Sequence, residues 1–338
     1  MNGHTARHSS RNTPCNTPRK ARQRGAALLA ALLAVALVAT LAAAGLWQQW
    51  RSVEVEAAER TRLQARWVLT GALDWARLIL REDGREGGAD HLAEPWAVPL
   101  REARLATFLA ADRDADSAGS DAANAFLSGE IVDMQSRLNI HVLVDNGKVS
   151  ENGLAAFQRL FEVLGLPAAE VTLMAENLLG ASDIATGNAS AASQASLPPQ
   201  SADQLGWLGL SPQTVLALEP HVTVLPTRTP VNLNTASALV IYAAVPGISQ
   251  ADAQRLVAAR AVTPLRTLAD AAKLLGSDQG VGGGLAAVAS RYFEVRGRLR
   301  LDSTVVEERS LVQRDGSIVR TLHREHAVLD TRGMPPNR

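Results

Sequence analysis

The sequence predicts an α+β fold: a long N-terminal helix packed on an antiparallel sheet, with a large all-helical insertion between the parts of that sheet. Three observations carry this expectation. No proline falls between Pro18 and Pro95, and an uncharged apolar run there passes directly into an amphipathic stretch. Strand-like alternation occurs at 126–144 and again from Ser290 onward. Between those two regions the apolar residues recur at helical spacing, and strands flanking a helical block argue for one sheet with an insertion. The 338 residues allow about two domains.

Net charge is zero, with 34 basic and 34 acidic residues, but the charges are segregated. Residues 1–50 hold no Asp or Glu, and their six cations (Arg7, Arg11, Arg19, Lys20, Arg22, Arg24) all precede Gly25. The remainder has 28 basic against 34 acidic residues, a net of −6, which gives no global attraction for nucleic acid. One cysteine, Cys15, excludes a disulfide framework and any multi-thiolate zinc site.

Ala26 to Trp47 is a 22-residue apolar run. As a helix it covers about 33 Å, enough for a hydrocarbon core of about 30 Å. Trp47 and Trp50 close the run where aromatic rings favour the headgroup region. Cations on its N-terminal side orient residues 1–25 to the cytoplasm. The alternative is a cleaved signal peptide using Ala42-Ala43-Ala44, although the apolar core is long for one. Leu63, Trp67, Gly71, Trp75 and Leu78 share one helical face, so the helix is expected from about Ala26 to about Arg81.

Residues 82–99 read as turns, and 112–121 carry alternating aspartates without the glycine or the bidentate glutamate of a calcium loop. Residues 126–144 read as strand and turn, and Asp133 with Arg137 has the look of an acid–cation pair. No nucleophile or metal cluster accompanies that pair, so hydrogen bonding is the expected role. Two helical patterns at 151–179 are separated by Gly165-Leu166-Pro167, and 181–204 reads as a flexible loop. Ser211 and Pro212 start a short helix.

At 231–275 the pattern is helix, turn at Pro246-Gly247-Ile248-Ser249, helix, turn, helix. Asn234 or Thr235 is expected to cap the first helix and Ser249 the second. This segment resembles helix–hairpin–helix DNA-binding modules, in which helix N-terminal amides hold phosphate. Its local charge of +2 within an acidic body argues against that use. The last strands turn at Asp315-Gly316, carry His323 and His326 near the end, and give way to a tail at 325–338.

Several strings share one family resemblance. Gly25 followed by Ala26 and the apolar helix resembles the processing site of type IV pilins and type II secretion pseudopilins. The string Ile131, Asp133, Gln135, Ser136, Arg137, Asn139, Ile140 resembles the signature of protein K minor pseudopilins, in which Asn usually stands in place of His141. Asn232, Asn234 and Thr235 lie in a string similar to I-N-L-N-T-A of that family, and Asp90, Leu92, Glu94, Trp96, Ala97 and Pro99 resemble its segment after the first helix. Ala30 stands where most pseudopilins carry Glu, a departure that protein K shares.

The resemblance implies a pilin-like fold and an assembly role; no catalytic residue, cofactor or metal site is expected from the residues present. It implies cleavage after Gly25 by prepilin peptidase, N-methylation of Ala26, and a single-pass inner-membrane protein with a periplasmic body. The implied partners are the minor pseudopilins I and J, other pseudopilins and the inner-membrane secretion platform. Asp133, Gln135, Arg137, Asn139, Asn232, Asn234 and Thr235 are implied to be structural. The acidic element that relatives carry near 180–186 is missing, so calcium binding is not carried over. The expected organisation is a leader (1–25), a transmembrane helix (26–50), a pilin-like domain (51–149 and 286–324), a helical insertion (150–285) and the tail. A membrane-anchored DNA-uptake protein is the alternative.

Overall fold

The computed structural model describes residues 23–105, 125–185, 196–276, 281–301 and 304–330. The leader cations, Cys15, the aspartates at 112–121 and the tail from 331 lie outside the described residues. The chain divides into two compact units, Met1–Thr61 and Arg62–Arg338. Helix α1 is Gln23–Glu86, three residues earlier and five later than the sequence predicts.

In the first unit residues 25–60 are exposed helix, and its uncharged stretch from Gly25 to Trp50 is apolar and long enough to cross a membrane. The Arg51 guanidinium lies 5.8 Å from the Trp47 ring centroid, placing a cation beside the aromatic that ends the apolar run.

In the second unit, α1 buries Ala65, Leu69, Leu73, Ala76 and Leu80, at spacings of four, four, three and four. This corrects the expected face: Leu63, Trp67, Trp75 and Leu78 are exposed, Trp67 by 77%. The helix has two apolar stripes, and periodicity cannot say which one meets the sheet. Close approach decides it. A side-chain carbon at Gly297 would sit 3.0 Å from Leu69 Cδ2, so the helix rests on strands thinned by glycine, where an indole would not fit.

The sheet contains β1 (Leu100–Arg104) and β2 (Ala125–Asp133) before the insertion. Short pairings β3 (Leu138–Asn139), β4 (Val144–Asp145), β5 (Lys148–Val149), β6 (Val222–Thr223), β7 (Val231–Asn232) and β8 (Ala286–Ala287) lie outside it. It is completed by β9 (Tyr292–Leu301), β10 (Thr304–Asp315) and β11 (Ile318–Asp330). The order is β1-β2-β9-β10-β11, antiparallel throughout. Leu127, Phe293, Val295, Leu299, Val306 and Val312 face the helix, and Trp96 meets Phe293 edge-on at 5.2 Å. The hairpin turn falls at Asp315-Gly316, with Gly316 at φ 57°.

Two expectations about the sheet fail. Residues 134–148 are not part of it, because the Asp133 and Asn139 side chains accept hydrogen bonds from the Gln135 and His141 amides and turn the chain into 3-10 turns. Their apolar residues Leu138, Ile140, Val142 and Leu143 join the core of the helical insertion instead. In the other direction, residues 325–330 continue β11, whose pairing with β10 extends to Thr304 opposite Asp330.

The insertion is built from α2 (Glu151–Leu164), α3 (Ala168–Ala185), α4 (Pro212–Leu218), α5 (Ala238–Ala244), α6 (Gln250–Val262) and α7 (Leu268–Leu275). Phe157, Leu160, Phe161, Met174, Leu178, Ile241 and Leu256 are in its core. Gly165 ends α2 in the left-handed conformation at φ 67°, at the break read from the sequence. Residues 181–185 are helix rather than loop, held by buried Ala181, while 186–195 lie outside the described residues.

At the start of α2, a side-chain carbon on Gly153 would collide with the Val142 carbonyl oxygen. Gly153→Ala is expected to cost about 2 kcal/mol despite its gain in helix propensity, because the clash is with backbone. Denaturant titration of the full chain in detergent checks this, and a neutral or stabilising result would contradict the packing.

Candidate functional site, a buried polar joint

The end of β2, β7, the start of β9 and the loop after α1 converge on one buried set of hydrogen bonds. Its centre is Asp133, whose carboxylate accepts from Gln135 N (2.8 Å), Asn232 Nδ2 (3.0 Å), Thr235 Oγ1 (2.6 Å) and Ser290 Oγ (2.6 Å). Burial pushes this carboxyl up to about 6, against the Ser290, Thr235 and Gln135 hydrogen bonds that hold it down, with Asp90 adding a smaller upward push. Asn232, fully buried, also donates to Asp90 O (3.1 Å) and Ser290 Oγ (2.9 Å) and accepts from Asn234 N (2.9 Å).

The other predicted residues extend the joint. Gln135 donates to Pro230 O (3.1 Å) and accepts from Arg291 N (2.7 Å), bridging the two crossing points of the chain. Asn139 donates to Thr227 O (2.7 Å) and Thr229 Oγ1 (3.0 Å) and accepts from Leu225 N (3.3 Å). Asn234 exchanges bonds with the Leu265 backbone, 2.9 Å in each direction. Because Asn234 and Thr235 are used this way, Ser237 rather than either of them caps α5.

Arg137 is not part of this set and makes no ion pair with Asp133. Burial pushes its guanidinium below the usual range, with Arg296 adding to that and Glu294 and Glu219 opposing it. Asp133 is held by hydrogen bonds instead, the role expected of it, and the look of an acid–cation pair has no counterpart in the geometry.

Sequence reasoning missed a second part. Arg314 of β10 reaches Asp83 of α1, Asp90 and the Ser290 carbonyl (2.9 Å), with its guanidinium 4.9 Å from the Phe293 ring centroid. Asp90 Oδ2 accepts from Ser290 N at 2.6 Å, which ties this part to the Asp133 centre. The one signal in the sequence was an arginine at an inward strand position, two residues after buried Val312. Arg260 was also missed; it donates to the Leu233 carbonyl, and burial pushes it down to about 10.

The helix–hairpin–helix resemblance meets a specific obstacle at α6. Ser249 and Asp252 form a capping box, with Asp252 Oδ2 accepting from Ser249 N (2.9 Å) and Ser249 Oγ (2.8 Å). A carboxylate thus occupies the place where a phosphate would bind, and those bonds hold Asp252 down at about 2. α7 begins with a second box, formed by Thr267 and Asp270.

A helix that is apolar in its first part and packs on one face of an antiparallel sheet in its second defines a pilin-like subunit, enlarged here by a helical insertion. Family models described as type II secretion system protein K match residues 136–227 and 231–295. Type II secretion system protein K of Pseudomonas aeruginosa is 29% identical over 307 residues, 84% of each chain. The fold is similar to a chain in the crystal structure of the GspK-GspI-GspJ complex from the enterotoxigenic Escherichia coli type 2 secretion system. The TM-score is 0.62 at 18% identity, covering 80% of this chain and 98% of that one. The chain is thus similar to the type II secretion system protein K family, in sequence across its helical insertion and in fold over most of its length.

Proposed function

We propose that this protein is the tip subunit of a periplasmic pseudopilus and supports export of folded proteins across the outer membrane. The observation that carries the reading is the insertion, a separately cored helical body inserted between adjacent strands β2 and β9 and fixed there by the buried joint. A pilin-like subunit with that bulk fits the end of a filament, where no further subunit stacks above it. Ala30 in α1 supports the same place, since it offers no carboxylate to a subunit above.

In this reading residues 1–25 are a cytoplasmic leader, residues 26–50 span the inner membrane and the rest is periplasmic. Prepilin peptidase cuts after Gly25, and Ala26 becomes the methylated N-terminus. Minor pseudopilins I and J are its tip partners, as in the similar GspK-GspI-GspJ complex, and other pseudopilins and the inner-membrane platform are its wider contacts. Asp133, Gln135, Asn139, Asn232, Asn234 and Thr235 serve by holding the insertion rigid, and Arg137, half-buried outside the joint, is structural as well.

Mass spectrometry of the mature protein from cells with and without prepilin peptidase tests this. The expected mature chain begins at N-methylated Ala26 and depends on the peptidase. A chain beginning near Gly45 would overturn the pseudopilin assignment, and failure to copurify with pseudopilins I and J would overturn the tip role.

A further inference from the structure

Three carboxylates meet one cation where α1 ends. Carboxylate oxygens of Asp83, Asp90 and Glu94, one from each, lie within 4.8 Å of one another. Arg314 pairs with the first two. Glu94 Oε2 accepts from His91 N (2.9 Å) and Trp96 Nε1 (2.6 Å), and His91 Nε2 stands 3.9 Å from Glu94 Oε1. Arg291 and Asp315, themselves 3.5 Å apart, line the same cleft from the starts of β9 and the hairpin. Asp133 lies beyond Ser290 on the inner side. Arg314 supplies one positive charge against three carboxylates, so the cluster carries a net charge of −2 in a largely buried setting when all three are ionised.

The backbone around this cluster is packed without slack. A side-chain carbon at Gly84 would collide with the Gly316 carbonyl oxygen, so the last turn of α1 lies directly on the β10–β11 hairpin. Charge imbalance at Asp83 is therefore felt as pressure on that helix–hairpin contact and cannot be relieved by a side chain swinging away.

We propose that this cluster is an acid-tightened clasp: uptake of one proton by Asp83, crowded by Asp90 and Glu94, locks the end of α1 onto the sheet, and loss of that proton loosens it. Asp83 is the seat of the proton. Its carboxyl is pushed up to about 6 by burial first, then by Glu94, with Arg314 opposing and Asp90 adding. Because the folded state holds this proton more tightly than the unfolded chain, stability rises as pH falls through 6. The gain in the closing equilibrium is about tenfold between pH 7 and pH 5. Asp133, also pushed up to about 6, adds a further rise in the same window, deeper in the joint.

The test is hydrogen exchange of the full-length chain in detergent at pH 5, 6 and 7, corrected for intrinsic exchange, reading peptides over 80–90 and 288–292. About tenfold greater protection at pH 5 than at pH 7 is expected over 80–90. Asp83→Asn is expected to give high protection at every pH and to abolish the step over 80–90, while Asp133 still moves 288–292. Should Asp83→Asn fail to fold, Glu94→Gln is the second variant: without the neighbouring charge the step over 80–90 is expected to move to lower pH, since burial still raises Asp83. Protection independent of pH, a step that survives Asp83→Asn, or a step left at the same pH by Glu94→Gln overturns the clasp. So does protection at pH 7 that falls with EDTA and returns with calcium, because the carboxylates would then hold a cation rather than a proton.

Discussion

Arg314→Met is expected to lower the stability of the folded body by about 3–5 kcal/mol, the largest loss expected from any single side chain outside the apolar core. Methionine keeps a stem that can pack on Phe293 and removes only the guanidinium. That leaves Asp83 and Asp90 facing each other and Glu94 without a cation, and leaves the Ser290 carbonyl without its donor. Arg314→Lys should recover less than half of the loss, since one ammonium cannot fork to two carboxylates and a carbonyl. Urea titration followed by tryptophan fluorescence measures both, with Trp96 buried beside Phe293 as the local reporter. A loss below about 1 kcal/mol for the methionine variant would mean that the ion pairs are exchanged freely for water.

Asn232→Leu, close in volume, is expected to cost about 4 kcal/mol. The removed amide serves Asp133, the Asp90 carbonyl and Ser290, and its oxygen holds the Asn234 amide. The leucine strands four buried polar groups, and the carboxylate is the costliest of them. A double-mutant cycle with Asp133→Asn separates the pair. If Asp133 is the main casualty, the double variant should lose clearly less than the sum of the single losses. Strict additivity would show that Asn232 acts through the backbone alone.

The strands and helices were legible in the sequence to the extent that their signals are local. The long helix, the Gly165 stop, the Ser211 and Ser249 caps and the Asp315-Gly316 turn each depend on residues within a few positions of one another, and each is found where it was read. Which apolar stripe of α1 is buried was not legible. Trp67 and Trp75 carry more apolar area than Ala65 and Ala76, yet the smaller residues meet the sheet because Gly297 sets a close approach that no helical period encodes.

The joint was half legible. Asp133, Gln135, Asn139, Asn232, Asn234 and Thr235 stood out through resemblance, and the structure brings them together across about a hundred residues of chain. Arg314 and Ser290 did not stand out, because an arginine on a strand and a serine before one look like ordinary surface residues. Only tertiary packing turns them inward. The look of an Asp133–Arg137 pair has no counterpart for the opposite reason, since proximity in sequence suggested a contact that the 3-10 turn at Met134–Ser136 directs away.

The topology also constrains the order in which this body can fold. Strands β2 and β9 are neighbours in space, opposed from Ala125 against Leu301 to Asp133 against Phe293, yet the whole insertion separates them in sequence. Closing so long a loop by random search is entropically costly, and pairings of this kind are slow. A folded insertion removes most of that cost, because Asp133 at its entry and Ser290 at its exit end up within one hydrogen bond, 2.6 Å apart. The helical body is then the clip that delivers the two strand ends to each other, and the β9–β10–β11 meander, whose strands follow one another directly, is ready to receive them. On this route the central seam of the sheet is the last part to close, and an insertion that folds badly leaves two open strand edges exposed.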